Sequence, residues 1–165
     1  MEQKTVTSHI IKGVIIAVVL MLLNFFVRRH GGVSLPLIVQ LLPTILLLAG
    51  IILSCFMFGR QTGGTMAQGE IFAHGFKTTA VVTFLMAIYT FVIVQYVFPR
   101  TPAEVDEAVK ALVQQGNMLE QEARRAAEAN VKKAWIVDVG GAIFATVITG
   151  LVGSLIGAAF AKKKP

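Results

Sequence analysis

Apolar positions fall into four long runs, and the polar stretches between them are short except for one. Hydrophobic residues run from about Ile10 to Val27, from Leu35 to Phe58, from Thr79 to Phe98 and from near Trp135 to Ala161. As helices, segments of this length suffice to cross a hydrocarbon core of roughly 30 Å. The first run ends in Asn24-Phe-Phe-Val-Arg-Arg-His rather than a small-residue cleavage site, so it reads as a retained span and not a signal peptide. Lys12, near its start, is expected to snorkel outward to the headgroups. In the second run Pro36 suits the first helical position, and Pro43 is expected to kink the helix by removing one backbone hydrogen bond. Gly59 to Thr65 carries three glycines and no apolar face, which predicts a turn.

The third run is led by QGEIFAHGFKTT, Gln68 to Thr79, in which Glu70, His74 and Lys77 recur at i, i+4 and i+7. These three share one side of a helix while Phe72 and Phe76 project from the other. An acid, a histidine and a lysine on one face suit proton chemistry, but they suit equally the wet side of an interfacial segment. His9 and His30 are isolated in the sequence and belong to opposite membrane faces, and no second acid-histidine group exists to meet the first. The expectation is therefore a solvated face, with Glu70 and His74 dispensable.

Pro99 ends the third span. Thr101-Pro102-Ala103-Glu104 then gives a helix start with Thr at N-cap, Pro at N1 and Glu at N3, the arrangement of a capping box. Val105, Val109, Leu112 and Val113 form a narrow apolar stripe; Gly116-Asn117 should break or bend the helix, and Met118 to Lys133 resumes it. This predicts an extramembrane helical hairpin or bent helix across 102–132. Its charge alternation is that of a solvated face, whereas its apolar stripe needs a partner.

The fourth run carries the most specific pattern. Gly141, Ala145, Thr149, Gly153, Gly157 and Ala161 form one row at spacing four, and Ala142, Thr146, Gly150, Ser154 and Ala158 form its neighbour. Two such rows make a shallow groove into which another helix backbone can seat closely, and in lipid this packing drives helix association. Gly141, Ala145, Thr149, Gly150, Gly153, Ser154 and Gly157 are the expected helix-packing residues. Packing within the chain is expected ahead of oligomerisation. The predicted fold is all-α: a polytopic membrane protein forming one domain over 1–165, with spans near 10–29, 35–59, 70–98 and 134–161.

Composition agrees. Of 165 residues 55% are hydrophobic and only 15% charged, with mean hydropathy +0.73, against roughly a quarter charged in soluble domains. The net charge of +6 resides largely at run ends: Lys12, Arg28, Arg29, Lys132, Lys133, Lys162, Lys163 and Lys164. Such residues read as interfacial anchors, and without a basic-aromatic platform nucleic-acid binding is set aside. Cys55, the lone cysteine, lies in an apolar run and reads as a small packing residue. The polar residues inside runs, Asn24, Gln40, Thr44, Ser54, Thr83, Thr90 and Gln95, are accommodated by interhelical hydrogen bonds. No charged residue occupies a mid-span position; Asp138, near the start of the fourth span, comes nearest. No nucleophile-base pair, phosphate loop or metal-ligand spacing is present, so no catalytic, cofactor or metal residues are expected and the chain is not read as an enzyme.

Four spans put both termini and the loop after the second span on one side. Basic residues number seven on that side (Lys4, Lys12, Arg60, Lys77, Lys162, Lys163, Lys164) and eight on the other (Arg28, Arg29, Arg100, Lys110, Arg124, Arg125, Lys132, Lys133). Several of the eight lie within a folded acidic helix and weigh less on insertion, which favours both termini in the cytoplasm.

The FAHGFK entry to the third span, its exit at YVFP, the charged helical excursion and the small-residue fourth span ending in lysines together resemble one family. It is the uncharacterised four-span membrane proteins of Bacteroidota, known as a domain of unknown function. The resemblance covers nearly the whole chain and implies the inner membrane of a Gram-negative cell, with no substrate and no catalytic residues. The functional expectation is an interaction, scaffold or accessory subunit; the alternative is a small channel or transporter acting as an oligomer. The expected associations are the lipid bilayer and either a homo-oligomer or a membrane-protein partner.

Overall fold

The computed structural model describes residues 7–30, 35–99, 101–116 and 119–161. Lys4 and Arg100 of the orientation count, Asn117 of the expected helix break, Met118 where the helix was expected to resume, and the anchoring Lys162, Lys163 and Lys164 lie outside the described residues. Every regular element among the described residues is helical: α1 His9–Arg29, α2 Leu37–Gln61, α3 Gln68–Val92 continued by a π-helical turn Ile93–Val97, α4 Pro102–Gly116 and α5 Glu120–Phe160. Four of these, α1, α2, α3 with its π turn, and α5, are long and apolar enough to cross a membrane. The chain is a multi-pass membrane protein of all-α class.

Local signals account for most helix ends. Ser8 caps α1, its hydroxyl accepting from the Ile10 amide at 3.2 Å. Pro36 sits one place earlier than expected, as the N-cap of α2 with extended backbone (φ −53, ψ 143), and its carbonyl accepts from Val39 and Gln40. Pro43 lies inside α2 without ending it. α2 continues through Gln61, so the turn starts three residues later than Gly59; Gly63 and Gly64 adopt φ of 67° and 72°, a backbone conformation few other residues take. Thr101 caps α4, and the Glu104 amide donates to its hydroxyl at 3.4 Å. The excursion and the fourth span are not separate helices: α5 runs unbroken from Glu120 to Phe160.

The chain forms two compact units, Met1–Met86 with Ile143–Pro165, and Ala87–Ala142. In the first, α1, α2 and the start of α3 share a core of Ala17, Leu20, Leu47, Ile51 and Val82. Cys55, Ile71 and Ala158 form a second core that ties α2 and α3 to the end of α5. Glycines bring these backbones close: a Cβ at Gly13 would lie 2.8 Å from Val81, and one at Gly75 would lie 2.5 Å from Cys55 Sγ and 2.8 Å from Ser154 Oγ. Lipid offers no hydrophobic drive for helix association, so dispersion at such approaches replaces it.

In the second unit α4 lies on the beginning of α5. Val109, Ala123 and Ala127 are buried, with Val105, Ala108 and Leu112 packed around them. Three of the four residues of the predicted stripe thus find their partner within the hairpin. Arg124 and Asp106 bridge the same two helices at 3.0 Å, both about half exposed. Trp135 meets Phe91 edge-to-face with ring centroids 5.4 Å apart.

Candidate functional site

The polar face of the α3 entry does not act as one unit. Glu70 is exposed and structural: its carboxylate accepts from the Ala67 amide at 2.8 Å, capping the first turn of α3. Lys77 is exposed as well. His74 is buried, 7% exposed, which corrects the expectation of a wet face. The reason lies in the register. Ile71, His74, Gly75, Thr78, Thr79 and Val82 are the buried residues of this stretch. At about 100° per residue His74 stands on the edge of that face, about 40° from Thr78, while Glu70 and Lys77 fall beyond the edge.

Lys12 repeats this geometry on α1, at the edge of the face that carries Gly13, Ala17 and Leu20. It does not snorkel outward. Its side chain turns inward, 6% exposed, and its Nζ lies 3.3 Å from the Ser54 carbonyl, to which it donates, and 3.3 Å from His74 Nε2. The His74 ring stacks on Phe58 at 4.1 Å and 9°, and Lys12 Nζ stands 6.0 Å from the centre of the same Phe58 ring. His9, half-buried on α1, meets His74 edge-on at 6.1 Å, so two histidines that are isolated in sequence are neighbours in the fold.

Hydroxyls complete the surroundings. Thr78 Oγ1 donates to the His74 carbonyl at 2.9 Å, which leaves Ser54 Oγ, 3.3 Å away, as the donor to Thr78. Thr79 and Ser154 likewise bond the carbonyls four residues before them, at 3.1 and 2.7 Å. Cys55, fully buried beneath this layer, approaches the Ile71 carbonyl at 3.7 Å and serves as a packing residue. Outside the cluster, Thr7 and Gln61 exchange two hydrogen bonds of 3.2 and 3.0 Å, pinning the start of α1 to the end of α2.

The electrostatics follow from the contacts. Lys12 is surrounded by a carbonyl, an imidazole and an aromatic face, all neutral acceptors, and no carboxylate contact with it is found among the described residues. Removing an ammonium from water costs several kcal/mol, and neutral acceptors offset only part of that. Two positive charges at the Lys12–His74 separation would repel by about 5 kcal/mol at an effective dielectric near 20.

The expected helix-packing residues divide along α5. Gly150, Gly153, Ser154 and Gly157 are buried. A Cβ at Gly150 would collide with Thr79; at Gly153 it would lie 3.2 Å from Ile51 Cβ, and at Gly157 2.7 Å from Cys55 Cβ. Thr149 is half-buried, whereas Ala145 is exposed and a Cβ at Gly141 would meet nothing within 4 Å among the described residues beyond its own stretch of helix. The structure therefore brings the second half of the row together with α2 and α3; of the first half Gly141 and Ala145 are exposed, while Thr146 of the neighbouring row is buried.

Comparison with known sequences fits this architecture. A family described as "Protein of unknown function (DUF4199)" matches residues 10–163. The chain belongs to the DUF4199 family. The match takes in all four membrane-crossing helices and every residue of the buried cluster except His9. No curated protein and no solved structure matches the chain. The description of the DUF4199 family names no activity, so the cluster is the ground on which a function is argued. Sequence reading missed it because Lys12 and His74 are 62 residues apart. The available signal was a lysine inside an apolar run, which is costly unless it faces the protein interior.

Proposed function

We propose that this DUF4199 protein is a small ion-handling membrane protein of channel or transporter class, with the Lys12–His74 cluster as the place where the ion is handled. The observation that carries the reading is Lys12: an amine buried among membrane-crossing helices whose contacts among the described residues are a carbonyl, an imidazole and an aromatic face. Ionisable side chains in such surroundings are rare and mark ion or proton pathways. Both features that favoured a scaffold role, the excursion stripe and the small-residue rows, find much of their packing inside the chain. The reading is non-enzymatic. It places the protein in the inner membrane of a bacterial cell of Bacteroidota type with both termini in the cytoplasm, supported by the family resemblance and the distribution of basic residues.

A second reading, an accessory subunit or homo-oligomer, is favoured by the open part of α5. Among the described residues a Cβ at Gly140 or Gly141 would meet nothing within 4 Å beyond its own stretch of helix, and Ala145 is exposed, leaving a small-residue surface in an apolar helix.

The test is flux in proteoliposomes. Purified protein should dissipate an imposed ion or pH gradient faster than empty vesicles do, and Lys12→Met should abolish the difference. Vesicles that hold the gradient as empty ones do would overturn the transport reading. Recovery of a stoichiometric membrane partner in mild detergent would then favour the accessory one.

A further inference from the structure

Three nitrogen bases stand in series in the four-helix unit. His9 is half-buried, its ring is 6.1 Å edge-on from that of His74, and His74 Nε2 is 3.3 Å from Lys12 Nζ. Lys12 and His74 are each more than nine-tenths buried. We propose that Lys12 and His74 share one exchangeable proton, forming a proton-binding station inside the membrane unit, and that His9 connects this station to water. The inference rests on the ion-handling reading only for its purpose, and names the ion.

The chemistry balances without any further reagent. An ammonium has donors and no acceptor, so when Lys12 is protonated the lone pair of His74 Nε2 receives its hydrogen bond. Transfer breaks one Nζ–H bond, whose electron pair stays on Lys12 as a neutral amine, and forms an Nε2–H bond. The resulting imidazolium releases its Nδ1 proton to water or to the His9 imidazole and returns to the neutral ring. One proton has then moved from Lys12 toward water, and reversal loads it again. A second excess proton is opposed by repulsion between two buried cations at hydrogen-bonding distance.

The surroundings favour a proton over an anion. An anion needs donors that converge on one open position. Here Lys12 donates to the Ser54 carbonyl and faces His74 Nε2, while the Ser54 and Thr78 hydroxyls are engaged with each other and with the His74 carbonyl. The other titratable groups near the pair are few. α1 brings His9, α2 brings Cys55 and α3 brings the exposed Glu70 and Lys77, one turn to either side of His74, while α5 between Ile143 and Phe160 has no titratable side chain.

The experiment is nitrogen-15 NMR of the full chain in lipid nanodiscs, with Lys12→Met, His9→Gln and His74→Phe variants. His74→Phe retains a ring for Phe58 and assigns the His74 signals. Sharing requires that Lys12→Met shift the midpoint of His74 titration at least tenfold in proton concentration. If Lys12→Met does not fold, Lys12→Gln serves instead, because it keeps hydrogen-bond donors without the charge. The His9 route requires that His9→Gln slow exchange of the Lys12 and His74 nitrogen-bound protons with water at least tenfold. A His74 titration that is indifferent to Lys12 overturns the shared proton; exchange indifferent to His9 overturns the route. None of this needs transport. A silent flux assay beside a coupled titration would end the transport reading and leave the station standing, and flux by the wild-type protein beside a His74 titration indifferent to Lys12 would do the reverse.

Discussion

Replacing Gly157 with alanine adds one methyl group where α5 crosses α2, and the structure fixes what it meets. The new Cβ would stand 2.7 Å from Cys55 Cβ, 3.0 Å from Cys55 Sγ and 3.2 Å from Ile52 Cα. Carbon atoms prefer about 3.5–4.0 Å, so the two helices must separate by nearly one ångström, and a backbone atom cannot rotate away. Overpacking of this kind costs about 1–3 kcal/mol, and the better helix propensity of alanine returns at most about 1 kcal/mol. The net expectation is a loss of about 1–2 kcal/mol for Gly157→Ala and more for Gly157→Leu. Gly153→Ala should be milder, since its Cβ would meet Ile51 and Leu48 side-chain atoms at 3.2–3.4 Å, where a shift of a few tenths suffices. Ala159→Leu, on an exposed position, is the control and should change little. The assay is thermal unfolding of the detergent-solubilised protein, with size-exclusion chromatography to follow its assembly state. If Gly157→Ala melts at or above the wild type while Ala159→Leu melts below it, α2 and α5 do not pack as described.

Other consequences can be measured on the same preparation. Glu70→Ala removes one cap at an exposed helix start and should lower stability by less than about 1 kcal/mol, with gradient dissipation unchanged. His74→Phe should keep a stacked ring against Phe58 and preserve melting temperature within a few degrees while abolishing gradient dissipation; retained flux would remove His74 from the mechanism. Asp106→Asn should cost under about 1 kcal/mol, an effect that fades in high salt, because the Arg124–Asp106 bridge is half exposed. Val109→Asp should instead disrupt the α4–α5 hairpin, seen as faster protease cleavage within 102–132, since it buries a carboxylate between Ala123 and Ala127.

Elements governed by local chemistry were legible in the sequence. The apolar runs gave the four membrane-crossing helices, and Thr101-Pro102-Ala103-Glu104 gave the start of α4. The cluster was not legible, for a geometric reason. Lys12 and His74 both occupy the edge of an interior face, where a rotation of some 40° separates lipid or water from the core. Hydrophobic patterning cannot fix a helix's rotation that finely when lipid-facing residues are as apolar as buried ones. The exposed Phe84 and Leu155 are no more polar than the buried Val82 and Ile51. The interior is marked instead by small and hydroxyl residues: Gly75, Thr78, Thr79, Gly150, Ser154 and Gly157. That signal was read on α5 and overlooked on α3, where the same residues surround His74. The continuity of α5 across the excursion was missed because a change from charged to apolar composition does not by itself end a helix.

The ion-handling function depends on Lys12 facing inward, and amine footprinting measures this directly. The folded protein in lipid nanodiscs is treated with a small amine-acylating reagent and digested, and the modification rates of Lys12 and Lys77 are compared by mass spectrometry. Lys77 is exposed and lies one turn from His74 on α3, so it serves as the internal reference. Lys12 should react at least tenfold more slowly than Lys77 and reach the same rate once the protein is denatured. Equal rates in the folded protein would mean that Lys12 snorkels to the surface after all, and that the buried proton site does not exist.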